Sequence, residues 1–190
     1  TPIKSSAASD VYKRQIYKKA SVGGIITKSV FTITAIGSLL EVKGFDRLIR
    51  VAEMLKKDGI SFCIQIIGRG EKEAELKRLV HELNVENEVH FLGFQANPYP
   101  YLKESDIFIS TSVSEGFSLV ICEALVLGIP IVATNTAGAL ELLEGGEYGV
   151  ITEQNDLSIY VALKKYITDE TLRTEYPVSY THLRAHETSQ

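Results

Sequence analysis

Residues 110–125 read Ser-Thr-Ser-Val-Ser-Glu-Gly-Phe-Ser-Leu-Val-Ile-Cys-Glu-Ala-Leu and follow directly on the apolar run Ile107-Phe108-Ile109. The run predicts a buried strand, the small hydroxyl-rich residues a loop, and the apolar residues from Ser118 onward a helix. Glu115 stands in the loop. Glu123 is the only charge between Gly116 and Gly128, among Leu, Val, Ile, Cys and Ala. Burying an unpaired carboxylate is costly, so Glu123 is expected to have a partner. A helix start preceded by glycine offers unpaired backbone N–H groups and a positive dipole end, which suit phosphate. A carboxylate beside it suits sugar hydroxyls, which donate hydrogen bonds. The stretch therefore fits a ligand carrying both phosphate and sugar.

The same grammar extends outward in both directions. Phe31–Ile36, Phe62–Ile67, Val89–Gly93 and Pro130–Thr134 are short β-rich runs, each next to a glycine-marked turn; Gly149–Ile151 is a further short strand. Between them, Phe45, Leu48, Ile49, Ala52 and Leu55 fall at helical spacing. The segment from Glu71 to Leu83 is a charged helix with Ala74, Leu76, Leu79, Val80 and Leu83 as its inner face. Asn97–Glu104 is a short helix or turn, and Gly138–Leu143 and Leu157–Ile167 are helical. Apolar strands alternating with amphipathic helices predict an α/β fold, a Rossmann-like parallel sheet with helices on both faces. Ligands of such sheets bind beyond the carboxyl ends of the strands, where Gly37, Gly68, Gly93 and Ser110–Ser114 fall.

The two ends of the chain read differently. Residues 5–15 (SSAASDVYKRQ) and 178–188 (VSYTHLRAHET) resemble translated sequencing adapters. Asp10–Gln15 can be encoded by GAT GTG TAT AAG AGA CAG. The reverse complement of that DNA, in a shifted frame, encodes the end of a proline codon, Val-Ser-Tyr-Thr-His and the start of a leucine codon, which matches Pro177–Leu183. Residues 1–15 and 177–190 are accordingly set aside as adapter-like tails. Residues 16–176 are taken as one ligand-binding domain, cut at both ends by fragmentation.

The chain has 190 residues, with 20 basic and 24 acidic side chains. Without Lys4, Lys13, Arg14, Asp10, Arg184 and Glu187 the balance is 16 to 22, so the net charge moves from −4 to −6. An acidic chain without a basic stripe is not expected to bind nucleic acid. Cys63 and Cys122 lie in apolar segments without metal-ligand spacing, as expected of core residues in a reducing compartment. No run has the length of a membrane span.

Taken in order, the motifs resemble the donor-binding, C-terminal half of a retaining glycosyltransferase of the GT-B fold, in the large family four. Gly37-Ser38-Leu39-Leu40-Glu41-Val42-Lys43-Gly44-Phe45-Asp46 is similar to the family's first phosphate-binding loop. Ile67-Gly68-Arg69-Gly70, Phe91-Leu92-Gly93 and Ser105-Asp106-Ile107-Phe108 follow. Glu115 and Glu123 resemble its signature pair of glutamates eight positions apart. Gly128-Ile129-Pro130-Ile131-Val132-Ala133-Thr134 and Glu141-Leu142-Leu143 complete the set, which covers nearly all of Phe31–Ile167.

The resemblance implies transfer of a hexosyl group from a UDP- or GDP-sugar to a polysaccharide, glycolipid or similar acceptor, without a cofactor or metal. It implies that Glu115 accepts from donor-sugar hydroxyls. The amides of Gly116, Phe117, Ser118 and Leu119 would meet sugar and diphosphate. Glu123 would bind the ribose, and Lys43 would neutralise the diphosphate as charge builds on the leaving group. Lys43 and Glu115 are the candidate catalytic residues; Gly37, Ser38 and Phe94, the last flanking the base, complete the donor site. The facing acceptor domain would be missing, and with it any membrane contact and turnover, from a parent working in the cytoplasm.

Plainer roles stand beside these. Lys43 is also an ordinary loop lysine, Glu115 a helix cap and Glu123 a paired core charge. His81 and His90 read as structural. Ser38 occupies a position where the family commonly has Arg, which leaves open a degenerate binding or scaffold module. A GT-B epimerase is a further alternative, although no acid–base pair for one is recognisable, and no motif for a phosphorylase's pyridoxal-phosphate lysine is found.

Overall fold

The computed structural model describes residues 6–22 and 30–175. Six strands run Phe31–Ile36 (β1), Phe62–Ile67 (β2), Val89–Gly93 (β3), Ile107–Ser110 (β4), Ile131–Thr134 (β5) and Val150–Thr152 (β6). The helices are Ser6–Ala20 (α1), Phe45–Lys57 (α2), Glu73–Glu82 (α3), Tyr99–Lys103 (α4), Leu119–Leu127 (α5), Ala137–Leu142 (α6), Asp156–Thr168 (α7) and Glu170–Glu175 (α8). All strands pair in parallel in the order β3-β2-β1-β4-β5-β6. This is a doubly wound sheet whose order reverses between β1 and β4, and the crevice at that reversal is where such sheets bind ligands.

The period of two along each strand divides the core into two layers. Ile33, Ala35, Ile64, Ile66, Ile107, Ile109 and Val132 face one way, against Leu48, Ile49, Ala52 and Leu55 of α2, Leu76 and Val80 of α3, and Ile159 and Leu163 of α7. Phe108, Ile131 and Ala133 face the other way, against Leu102 of α4, Ile121, Ala124 and Leu125 of α5, and Ala139 of α6. The helix α5 is apolar nearly all round because it is pressed between α1, α6 and the sheet. Asp106 extends the β1–β4 ladder by one step. Its carboxylate accepts from the Thr32 amide at 2.7 Å, and its amide donates to the Thr32 carbonyl at 2.9 Å.

Two local readings are corrected. The charged helix begins at Glu73, two residues later than expected; its buried residues are Leu76 and Val80, and Ala74, about 200° from Leu76 around the helix, faces solvent. The fifth strand begins at Ile131, one residue after Pro130. Residues 6–15, left out of the sequence reading of the fold, are helical and continuous with 16–20. The buried anchors of α1 are Ile16 and Ala20, one turn apart, which seat it on α4 and α5. The stretches 1–5 and 177–190 lie outside the described residues.

Cys63 and Cys122 are free and half-buried. Burial pushes the Cys122 thiol up to about 11, with the Glu123 charge adding to it, and burial raises Cys63 too. At pH 8 only about one Cys122 in a thousand is then the reactive thiolate. Iodoacetamide at pH 8 is therefore expected to label neither cysteine quickly in the folded chain and both in urea. Labelling of the folded chain at the rate of a free thiol would contradict this.

Candidate functional site

The cleft lies at the carboxyl ends of β1 and β4 and has a volume of about 280 Å³. Gly37 lines it, and Gly68 and Gly93 carry the strand ends beside it. The Gly37 amide donates to the Ile67 carbonyl at 3.0 Å, and the Gly68 amide to the Gly93 carbonyl at 2.9 Å, so three strand ends continue their ladder past the sheet. Gly68 has φ +150°, and a Cβ there would lie 1.9 Å from the Gly37 carbonyl oxygen. No other residue fits.

The loop after β1 is pinned to the loop after β4. Val113 N–H donates to the Val42 carbonyl at 2.8 Å, and Thr111 Oγ1 to the Lys43 carbonyl at 2.9 Å. Gly44 ends the Glu41–Lys43 turn in the left-handed region at φ +61°, and a Cβ there would lie 2.3 Å from the Thr111 carbonyl oxygen. Those contacts deliver Lys43 to Glu115 across the mouth of the cleft. Lys43 Nζ meets Glu115 Oε1 at 2.6 Å, with the side chains 24% and 14% exposed. Ser112 Oγ donates to Glu115 Oε2 at 3.2 Å.

Glu115 does not cap the helix. Ser118 does, its Oγ accepting from the Ile121 amide at 3.4 Å. Gly138 N–H donates to the Glu115 carbonyl at 2.9 Å, and Gly138 packs so closely that a Cβ would come 3.0 Å from the backbone of residues 115–117. The helix α6 thus holds the loop from below. Among the described residues the amides of Gly116, Phe117, Ser118 and Leu119 donate to no other group. They form the free N-terminal end of a nine-residue helix, with a cation beside it.

Of the residues expected at the site, Gly37, Ser38, Lys43, Glu115, Phe117, Ser118 and Leu119 line one cleft, and Gly116 lies within its α5 wall. Phe117 and Leu119 are 51% and 58% exposed at its mouth. Two residues stand apart. Phe94 follows β3, two strands from β1, with the Arg69 guanidinium 4.6 Å from its ring centroid. Glu123 lies one turn along α5 from the cleft wall, 9% exposed, and its Oε1 accepts from Tyr99 at 2.9 Å and Tyr12 at 3.1 Å. These tyrosines are the expected partners of the buried carboxylate. Both phenols are pushed up by burial and by the Glu123 charge, Tyr12 to about 12, so they stay protonated donors at neutral pH.

Neither tyrosine was legible as a partner of Glu123: Tyr99 carried only the signal of the pair Pro98-Tyr99, and Tyr12 lies in the stretch 1–15 set aside as an adapter-like tail. Within the stretch 110–114 expected at the site, the sequence did not show that Thr111 Oγ1 would bond the Lys43 carbonyl and tie the two loops together, or that Ser112 Oγ would hold Glu115. His81, 82% exposed, pairs with Glu86, and His90 is exposed on an edge strand. Among the described residues no three His, Cys, Asp or Glu side chains are placed to hold one metal ion, and no helix is long and apolar enough to cross a membrane.

The chain belongs to the glycosyl transferases group 1 family, whose model matches residues 23–177. It is 38% identical over 146 residues to the Campylobacter jejuni N-acetylgalactosamine-N,N'-diacetylbacillosaminyl-diphospho-undecaprenol 4-alpha-N-acetylgalactosaminyltransferase, an alignment covering 76% of this chain and 39% of that protein. It is also 38% identical over 127 residues to an uncharacterized glycosyltransferase of Haemophilus influenzae, covering 66% of this chain and 36% of the other. Among solved structures, Anabaena HepE in complex with UDP superposes with a TM-score of 0.72 at 26% identity, covering 96% of this chain and 49% of HepE. Staphylococcus aureus TarM superposes with a TM-score of 0.73 at 23% identity, covering 82% of this chain and 32% of TarM, a likeness of fold. The fold is that of one half of GT-B glycosyltransferases. The chain spans about two fifths of the length of the two curated relatives.

Proposed function

We propose that this chain is the nucleotide-sugar half of a retaining glycosyltransferase of family four, moving a hexosyl group to a polysaccharide, glycolipid or similar acceptor. The observation that carries the reading is the Lys43–Glu115 pair at 2.6 Å beside the free amides of Gly116–Leu119. Lys43 and the amides supply positive potential for a diphosphate. Glu115, held by Ser112, supplies an acceptor for a sugar hydroxyl a few ångströms away. The juxtaposition orients a donor whose sugar and diphosphate are adjacent. The bond from the sugar to the diphosphate breaks as that to the acceptor oxygen forms, and the leaving diphosphate takes the acceptor's proton. Lys43 and the helix end then meet growing negative charge, without a metal.

The relatives' names support an acceptor such as a lipid-linked saccharide, and the HepE complex supports UDP as the nucleotide portion. The acceptor domain would complete the parent on the cytoplasmic side of a membrane, and this chain alone is expected to transfer nothing. Calorimetric titration with UDP- and GDP-sugars should show saturable binding. A folded chain that binds neither would sink the reading.

One observation favours a second reading, a domain whose donor site has weakened. Among the described residues Lys43 is the only cation lining the cleft and is already neutralised by Glu115, while Ser38 beside it brings no charge. Ser38→Arg is expected to tighten nucleoside diphosphate binding about tenfold, the worth of one charge-assisted hydrogen bond. Unchanged affinity would remove the case for weakening.

A further inference from the structure

Glu123 follows Leu119 by four positions and Val120 by three, so all three share one side of α5, with Leu119 and Val120 lining the cleft. One turn in, the Glu123 carboxylate is held by a single oxygen. Oε1 accepts from Tyr99 at 2.9 Å and Tyr12 at 3.1 Å, while among the described residues Oε2 accepts no hydrogen bond. A carboxylate oxygen has about two acceptor directions, so the two phenols fill Oε1 and leave Oε2 as the open one.

The two donors are not equivalent in their support. Tyr99 opens the short helix α4, which starts behind Pro98 and is anchored by Leu102, fully buried against the same cluster as Ile121, Ala124 and Leu125 of α5. Its hydroxyl is therefore set by the packing that sets Glu123 itself. Tyr12 arrives on α1, seated through Ile16 and Ala20.

We propose that Tyr99 is a positioning residue for nucleotide recognition: its hydroxyl fixes the plane of the Glu123 carboxylate so that Oε2 receives the ribose hydroxyls of the donor. The inference rests on the reading of Glu123 as the ribose acceptor. Tyr99 touches no ligand in this arrangement and acts through Glu123. A carboxylate free to rotate about its last bond would spend part of its time with both oxygens turned from the diol, and would have to be ordered on binding.

The test uses Tyr99→Phe, which removes one oxygen and keeps the ring, in a Tyr12→Phe background so that the second phenol cannot take over. UDP, GDP and their 2′,3′-dideoxy forms are titrated by calorimetry, with circular dichroism confirming the fold. Tyr99→Phe is expected to weaken binding of the ribose forms about three- to tenfold, one indirectly lost hydrogen bond to a charged group, and to leave the dideoxy forms unchanged. A merely structural tyrosine would weaken both alike. An unchanged ratio of ribose to dideoxy affinity on Tyr99→Phe overturns the positioning role. A Tyr99-containing chain that never distinguishes ribose from dideoxyribose, or binds no nucleotide, overturns the ribose reading of Glu123, and this inference with it.

Discussion

Gly68→Ala is expected to destabilise this chain by at least about 3 kcal/mol, the scale of backbone strain combined with a buried clash. The position combines two prohibitions. Its φ of +150° is one that residues with a Cβ rarely adopt, and the added carbon would lie 1.9 Å from the Gly37 carbonyl oxygen. The obstacle is backbone, so no rotamer change relieves it. Gly37 and Gly68 also belong to the hydrogen-bonded row running from Ile67 to Gly93, so relief would open the β1–β2–β3 end of the sheet. For a chain of this size the thermal midpoint should fall by roughly 6–12 °C. Gly59→Ala is the control. It shares a positive φ of +71°, but nothing lies within 4 Å of its Cβ position. Equal losses at both positions, followed by thermal melts, would show that φ alone decides and that the close approach to Gly37 does not matter.

Lys43→Ala is expected to cost about 2 kcal/mol in nucleoside diphosphate binding, close to a thirtyfold loss, with little change in melting temperature. The two effects separate for a physical reason. A part-exposed ion pair contributes little to folding, because water stabilises both ions in the unfolded chain. Binding is different, since removing the ammonium deletes the one cation that lines the cleft among the described residues and leaves Glu115 facing an anionic ligand. Glu115→Gln is expected to act oppositely on the simple nucleotide, keeping or tightening it, while weakening the nucleotide-sugar relative to it. Isothermal titration of UDP, GDP and their sugar conjugates against both variants provides the check. Lys43→Ala binding within about twofold of the parent chain would place the diphosphate elsewhere.

The elements legible in the sequence were those whose signal is local. The five longer strands are short apolar runs bounded by turn residues, and α2 carries its buried positions at helical spacing, so each could be read alone. Ala74 was misread because, two positions before Leu76, it lies about 200° from it around the helix, so the two cannot share one face. The cleft was legible as a set of strand-end glycines and hydroxyls. The need for a partner at Glu123 was legible from its charge alone. Which side chain answers that need was not, for Tyr99 lies 24 positions away and Tyr12 111 positions away, on helices brought beside α5 by packing.

By itself the sequence determined the alternation of strand and helix, and hence a parallel sheet with a site at its carboxyl edge. It also determined which residues would be chemically capable there. Those properties follow from period, turn chemistry and charge, which act over a few residues. Tertiary structure decided the order β3-β2-β1-β4-β5-β6, the closing of Lys43 on Glu115, the role of Ser118 in place of Glu115 as the cap, and the tyrosines around Glu123. Each depends on segments distant in the chain meeting across a buried interface, and the energy that selects those meetings exists only once the core is assembled.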